Sequence, residues 1–524
     1  MSSNQLLEDE LTAFCRSHAL SKDGLRAIFE GHGVAPNDND SNMSYDFFHE
    51  ACCNEKVTDG ILRNLLEYFP NAVRFADGYI DDGEEKIGGC TPLHSICFNK
   101  NVTLCMVQLL IDAYPESVSH ENNKACMPLH YLCSNEKLND EVGLEILKLL
   151  LERFPESVRH AARDGVLPIH FAAAYQSPEF CRILIQAYPG SEQMVADGSG
   201  MLPFHLACAS NTVATAEYLY QLYPESINVA NNYGSHPIHY AVRGLKDRSN
   251  PEDVIEVMRF LLDCDPNVVL QKFYGKLPLY WVCNEATNDN TQQRLNAHLK
   301  VLRILYDAHP EAIESNEVTS DIHSFCEEVQ SYINAQLTYA RQARDLRQMN
   351  TPDENGQLPL HKALRDHETI TLGSIKLLVK GNPSAIREID NRGMMPLHIA
   401  CQYRVSPAVV EYLINLNEVT LGAVDEEGNA ALHYACCGAN HAIIALLLDR
   451  YGSISVSKRN AHKQLPIDLL LQSKNEASDK ESVEYTESIY RLIRAYPEAL
   501  MRYDLGQTGS EDCQNRNKRK IDEV

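Results

Sequence analysis

Hydrophobic and polar positions alternate along this chain in blocks of two kinds, and both recur. The first is a short apolar run opened by proline and centred on histidine: TPLHSIC from Thr91, MPLHYLC from Met127, LPIHFAA from Leu167 and LPFHLAC from Leu202. The second follows about ten residues later and has apolar residues at i, i+3 and i+4, as in MVQLLIDAYPES from Met106 and EILKLLLERFPES from Glu145. Proline one step after an N-cap position opens a helix, because its missing N–H would have had no partner there. The i, i+3, i+4 spacing predicts an amphipathic helix packed on one face. Each block therefore predicts a pair of antiparallel helices. The second helix stops at a proline, because a residue before proline is pushed out of the α region; Pro70, Pro115, Pro155, Pro189, Pro224, Pro266, Pro310, Pro383 and Pro497 mark these stops.

The histidine slot gives a register: His49, His94, His130, His170, His205, His239, Tyr280, His323, His361, His398, His433 and Asp468. Their mean step is about 38 residues, in the range of stacked repeats. A further copy, with Thr12 in the slot, fits an atypical N-terminal capping unit. A short extended piece and a turn are expected between units. Gly89, Gly165, Gly200, Gly234, Gly275, Gly356, Gly393 and Gly428 stand three residues before the next proline or proline slot, and Asp197, Asn231, Asp353, Asp390 and Asp425 stand three before a glycine. Glycine supplies positive φ, and Asp or Asn braces the turn with its side chain.

Two helices, a hairpin-like turn and a Pro-Leu-His signature resemble the ankyrin repeat. The resemblance runs over about residues 45–504. It implies an all-α solenoid of about twelve helix-turn-helix repeats with short β-hairpin-like turns. The expected organisation is a capping unit at 1–44, repeats at 45–315, a degenerate repeat and candidate hinge at 316–350, repeats at 351–504 and a disordered tail at 505–524. Two departures stand out. Tyr/Phe-Pro-Glu replaces the usual glycine after the second helix, and polar insertions separate the two helices at 134–142, 244–253, 284–296 and 473–486. In the degenerate unit Asp321 stands in the proline slot, and the second helix is expected to run long, through Tyr332–Met349.

The resemblance gives the slot histidines a structural task, bridging backbone groups of adjacent turns. Cys52, Cys97, Cys133, Cys208, Cys283, Cys326, Cys401 and Cys436 lie three residues after the slot. His-x-x-Cys on one helical face is half of a metal site. Packing is the favoured reading, because Ala173 and Val242 occupy the same position and cysteine behaves there as a small hydrophobe. The 17 cysteines are an odd number, sparse for the chain's length, and fit reduced thiols better than a disulfide framework. A redox role would fall to those outside the slot, such as Cys53, Cys90 and Cys437.

Composition narrows the functions. Lys and Arg total 47 against 72 Asp and Glu, a formal charge of −25. Such a chain repels phosphate backbones, so direct nucleic-acid binding is not expected, and partners with basic patches are. No apolar run has the roughly 20 residues of a membrane span. Glu8, Asp9 and Glu10 interrupt the first 20 residues, so no secretion signal is expected. No phosphate-binding loop, His-Glu-x-x-His or Gly-x-Ser-x-Gly pattern occurs. The expected protein is therefore not an enzyme, with no cofactor, metal or small-molecule substrate.

The resemblance further implies that partners read the turn tips and the first helices on the concave face. Carried over unit by unit, the tip positions are Arg163, Tyr233, Phe273, Tyr274, Lys276, Glu354, Arg392 and Glu426; the first-helix positions are Phe98, Tyr175, Arg243, Arg365 and Tyr403. The expected function is a non-catalytic scaffold or adaptor, cytoplasmic, nuclear or both. One alternative is a nuclear regulator delivered by the basic cluster Arg516, Lys518, Arg519 and Lys520; another is a thiol-based redox or metal sensor.

Overall fold

The computed structural model describes residues 3–36, 43–76, 88–248, 250–287, 291–345, 349–366, 369–451, 455–473 and 479–499. The expected tail and its basic cluster at Arg516–Lys520 lie outside these residues. The described chain is helical throughout, with one isolated antiparallel bridge, Phe273 to Lys276, and no strand. It divides into two compact units, 1–301 and 302–524, and the boundary falls inside the helix Gln292–Ala308. No helix among the described residues is long and apolar enough to cross a membrane.

In the first unit the predicted helix pairs form in register. Pro92–Phe98 pairs with Leu104–Ala113, Pro128–Ser134 with Asp140–Arg153, Pro203–Ser210 with Val213–Leu222, and Pro237–Asp247 with Asp253–Cys264. The N-terminal segment adds Ser3–Arg16 and Lys22–His32, and the first of these packs on Asp46–Cys53. Each unit buries only a thin stripe of its own, so neighbours complete one another's core. The slot cysteines Cys52, Cys97, Cys133, Cys208 and Cys283 are fully buried in that interface. Burial pushes the Cys97, Cys133 and Cys208 thiols up, away from the reactive thiolate.

Several slot histidines work in two directions, whereas His130, His205 and His239 make the capping bond alone among the described residues. His94 Nδ1 accepts the backbone N–H of Thr91 at 3.1 Å, and its Nε2 donates to the carbonyl of Cys126, in the next unit, at 3.0 Å. His170 repeats the pattern with Leu167 and Met194, His398 with Met395 and Ala423, and His433 with Ala430 and Gln464. The first bond caps the helix that proline opened; the second ties the helix to the segment leading into the next turn. Asp468 keeps the first, accepting the N–H of Leu465 at 2.7 Å.

A second ladder runs along the other end of the first helices. Asn54 Nδ2 donates to the carbonyls of Cys15 and Ser17, Asn99 to those of Cys52 and Asn54, and Asn135 to those of Cys97 and Asn99. Gln176 continues it to Cys133 and Asn135, and Asn211 to Ala173 and Gln176. Arg248 closes on Ala209 and Cys208 with its guanidinium. Each side chain satisfies carbonyls left open at the end of the preceding first helix, and its own carbonyl then serves the next.

The Tyr/Phe-Pro-Glu steps do not lead straight into an extended piece, as the sequence suggested. Each proline opens one 3-10 turn, Pro115–Ser119, Pro155–Arg159 and Pro224–Asn228 among them. Ser117 donates back to the Tyr114 carbonyl at 2.6 Å and Ser157 to that of Phe154 at 2.7 Å. In these two units the serine of the Pro-Glu-Ser motif closes the turn that proline starts.

The second unit holds the degenerate repeat. Its slot residue His323 sits in a short 3-10 turn, Ile322–Ser324, after Asn316–Asp321. The long helix spans Glu327–Arg344, starting earlier and ending sooner than the periodicity implied. With no proline at position 321, no proline-opened helix starts there; the short helix Asn316–Asp321 precedes the slot and one 18-residue helix follows it. It packs on Leu372–Gly381. Gly373 lies against Tyr306, whose Cε1 would stand 2.7 Å from any Cβ there. The pairs Pro396–Gln402 with Pro407–Leu416 and Ala431–Cys437 with His441–Tyr451 then resume the regular pattern.

Candidate functional site

Four of the predicted binding residues come together in the first unit. Tyr233, Arg243, Phe273 and Tyr274 line one cavity of about 350 Å³, with Asn231, Ser235, His239, Tyr240, Val242, Trp281 and Glu285. Two turn tips and two first helices, Pro237–Asp247 and Pro278–Ala286, build it.

The first tip is a five-residue loop. Asn231 N donates to Ser235 O at 2.9 Å, and Asn231 Oδ1 accepts the N–H groups of Tyr233 at 3.0 Å and Ser235 at 2.9 Å. The side chain of Asn231 also donates to Tyr240 Oη at 2.9 Å, so the tip is fixed to its own helix. Tyr233 projects from it, 62% exposed.

The second tip is tighter. Phe273 and Lys276 exchange both backbone hydrogen bonds at 3.0 Å, leaving Tyr274 and Gly275 as a two-residue loop. Both have positive φ, 48° and 75°. Glycine accepts that geometry; tyrosine pays for it, on the order of 1 kcal/mol. The outcome is a large aromatic ring, 73% exposed, held at the rim. Phe273 lies behind it, 4.4 Å from the Tyr274 ring and 5.2 Å from Trp281 between centroids, both at tilted angles. Trp281 Nε1 donates to the Phe273 carbonyl at 3.3 Å and anchors this tip as Tyr240 anchors the first.

The charges are few. Arg243 pairs with Asp247 at 2.9 Å, one helical turn along. Glu285 is half-buried and pairs with no cation among the described residues. His239 is held neutral, its pKa lowered to about 4 chiefly by burial. Lys276 lies outside the cavity, its Nζ 3.6 Å from the centre of the Tyr280 ring.

The other predicted residues lie elsewhere. Phe98 is exposed with its edge toward Tyr131, and Tyr175 is exposed at the end of its helix. Arg163 donates to the Asn123 carbonyl at 2.8 Å and braces the neighbouring tip. In the second unit Arg365 lies 5.8 Å from the Tyr403 ring centre and 3.7 Å from Asp390, a small cluster of its own. Glu354, Arg392 and Glu426 are exposed on successive tips, joined through backbone: Glu354 O accepts from Asn391 Nδ2 at 2.9 Å and Arg392 O from Glu426 N at 3.2 Å. A wider cavity, about 680 Å³, opens between Glu327–Arg344 and Pro359–Ala363. The Tyr339 hydroxyl there meets Asp366 at 3.0 Å.

Sequence reasoning missed Tyr240, Trp281 and Glu285. The signal for the first two was an aromatic residue directly after the slot; Tyr240 also stands nine positions beyond the Asn of its tip. Tyr131 with Asn122 and Tyr434 with Asp425 follow the same rule as Tyr240 with Asn231. Glu285 carried no signal, because acidic residues abound.

Stacked helix pairs with hairpin-like tips, proline-opened first helices and histidines bridging to the next unit define a helical repeat protein. The family model for ankyrin repeats matches three times, at residues 131–230, 169–269 and 370–460, and these stretches carry ankyrin repeats. It is 32% identical over 119 residues to SMC5-SMC6 complex localization factor protein 1 of Bos taurus, covering 22% of this chain and 11% of that protein. The Homo sapiens protein of the same name matches at 32% over 117 residues, again 22% and 11%. Alpha-latrotoxin-Lg1a of Latrodectus geometricus is 26% identical over 132 residues, 25% of this chain and 9% of the toxin. The matches thus cover about a tenth of each relative's length.

Proposed function

We propose that this chain is a non-catalytic protein-interaction scaffold and that the aromatic cavity at Asn231–Glu285 is its principal docking point. One observation carries the reading: Tyr233, Arg243, Phe273 and Tyr274, chosen as partner-reading positions from the repeat register, line a single cavity whose most exposed ring is kept in a strained backbone. Strain retained at an exposed aromatic side chain points to use rather than to stability. Tyr, Trp and Arg around a rigid concavity are the residues that dominate binding energy at interfaces. Because helices and bonded tips preorganise the site, docking costs little ordering entropy. With a charge of −25, the favoured partners carry basic patches and associate more weakly in salt.

The test is affinity capture from native lysate at low and physiological salt, with the intact chain beside a variant carrying Tyr233→Ala, Arg243→Ala, Tyr274→Ala and Arg392→Ala. A protein set lost in the variant and thinned by salt supports the reading. A set indifferent to both contradicts it.

A second reading places the scaffold in the nucleus, acting on chromatin or transcription proteins. The basic run from Arg516 to Lys520 favours it, as does similarity to a protein named for localizing the SMC5-SMC6 complex. Removing residues 514–524 from a fluorescent fusion tests it; an unchanged distribution ends it.

A further inference from the structure

We infer that the cavity between the two tips receives an arginine side chain from the partner, laid flat against the tilted rings of Phe273, Tyr274 and Trp281 and held at its far end by Glu285. The inference rests on the docking role proposed above and names the chemistry of the docked group.

Four observations lead there. The walls are aromatic faces, and Phe273 stands at their centre, 4.4 Å from Tyr274 and 5.2 Å from Trp281. Such faces attract a cation through their quadrupole, and more so where water is excluded. Glu285 supplies one half-buried carboxylate that no cation among the described residues neutralises. The one cation on the lining, Arg243, is already matched by Asp247 at 2.9 Å, so it contributes little repulsion. His239, packed beneath Phe273 at 5.5 Å between ring centroids, adds no charge near neutral pH because burial holds it neutral.

The same features choose arginine over other cations. A guanidinium is flat, so it stacks on a ring while its fork gives two N–H bonds to one carboxylate. An ammonium is compact and strongly hydrated, and a single carboxylate returns less of that hydration. A quaternary ammonium needs rings on several sides and has no N–H to give Glu285.

Trp281 is the chain's single tryptophan, so its emission reports on this cavity alone. The experiment titrates the full chain at physiological salt with an acetylated, amidated Gly-Arg-Gly-Arg-Gly peptide. Counterparts carry lysine, trimethyl-lysine or citrulline in place of arginine. Glu285→Gln is the test variant and Glu217→Gln, on the second helix Val213–Leu222, the control; circular dichroism checks that both fold. The expected result is a saturable change with the arginine peptide and binding about fivefold or more weaker for the other three. Glu285→Gln should weaken arginine binding by about fivefold and Glu217→Gln should leave it unchanged. The inference is overturned if citrulline or trimethyl-lysine binds as tightly as arginine, if Glu285→Gln leaves arginine binding intact, or if no peptide changes the Trp281 signal. If no peptide responds while the capture variant still loses its protein set, the docking role stands and arginine recognition falls. If that set survives the variant, the docking role falls.

Discussion

The side-chain amide of Asn99 donates to the backbone carbonyl of Cys52 at 2.7 Å, tying the end of one first helix to the next repeat. A second bond from the same nitrogen reaches the Asn54 carbonyl at 3.0 Å, and Asn54 is itself the equivalent residue of the preceding unit. The stack therefore carries a polar rail beside its apolar interface, and each rung depends on its neighbour.

Replacing Asn99 with leucine leaves two buried carbonyls without donors, at a cost of about 2 kcal/mol. Urea unfolding followed by circular dichroism should show the lower midpoint. Because coupling in a repeat array passes between neighbours, hydrogen exchange should rise first in the helices Asp46–Cys53 and Pro92–Phe98 and leave Pro396–Gln402 protected.

Acid should loosen the stack through its histidines. Burial lowers the pKa of His94 from 6.5 to about 3, and those of His130, His205 and His239 to about 4. Folding thus favours the neutral ring, whose Nδ1 must accept an N–H. Their contribution is complete above pH 6.5 and is lost as the pH falls from there toward 4. Each contributes at most about 1.4 kcal/mol per pH unit in that window. Urea midpoints measured from pH 7.5 down to 4.5 should fall steadily below 6.5; a flat profile across that range contradicts the capping role.

Tyr274→Gly separates stability from binding. Glycine relieves the positive φ of 48°, so the variant should unfold at the same or a higher urea concentration, by up to about 1 kcal/mol. It should nonetheless lose partners, because the exposed ring is gone. A variant that keeps its partners makes Tyr274 an accident of the turn.

Much of this was legible in the sequence because it depends on local rules. Proline at the first helical position, the slot histidine and the Asn or Asp before glycine each act within a few residues, and Pro92, His94, Asn231, Asp353, Asp390 and Asp425 formed what was expected of them, while His323 sits in a 3-10 turn. The rail was not legible. Asn99 and Gln176 reach carbonyls 47 and 43 residues back, and nothing in the spacing of polar residues distinguishes them from solvated ones. The degenerate unit was visible as a missing proline at Asp321, but the bounds of its long helix, Glu327–Arg344, depend on packing against Leu372–Gly381. At the site, register located Tyr233, Arg243, Phe273 and Tyr274. It gave no reason to expect that two adjacent tips differ in length, and that difference sets the Tyr274 ring at the rim.

The central claim is that partners contact the stack at Tyr274. A photoreactive benzoylphenylalanine at position 274, irradiated in native lysate, tests this most directly, with the same probe at Glu217 on the second helix Val213–Leu222 as the comparison. The account predicts a reproducible set of proteins crosslinked from 274, absent from 217 and diminished by salt. Equal crosslinking from both positions, or none from 274, would contradict it.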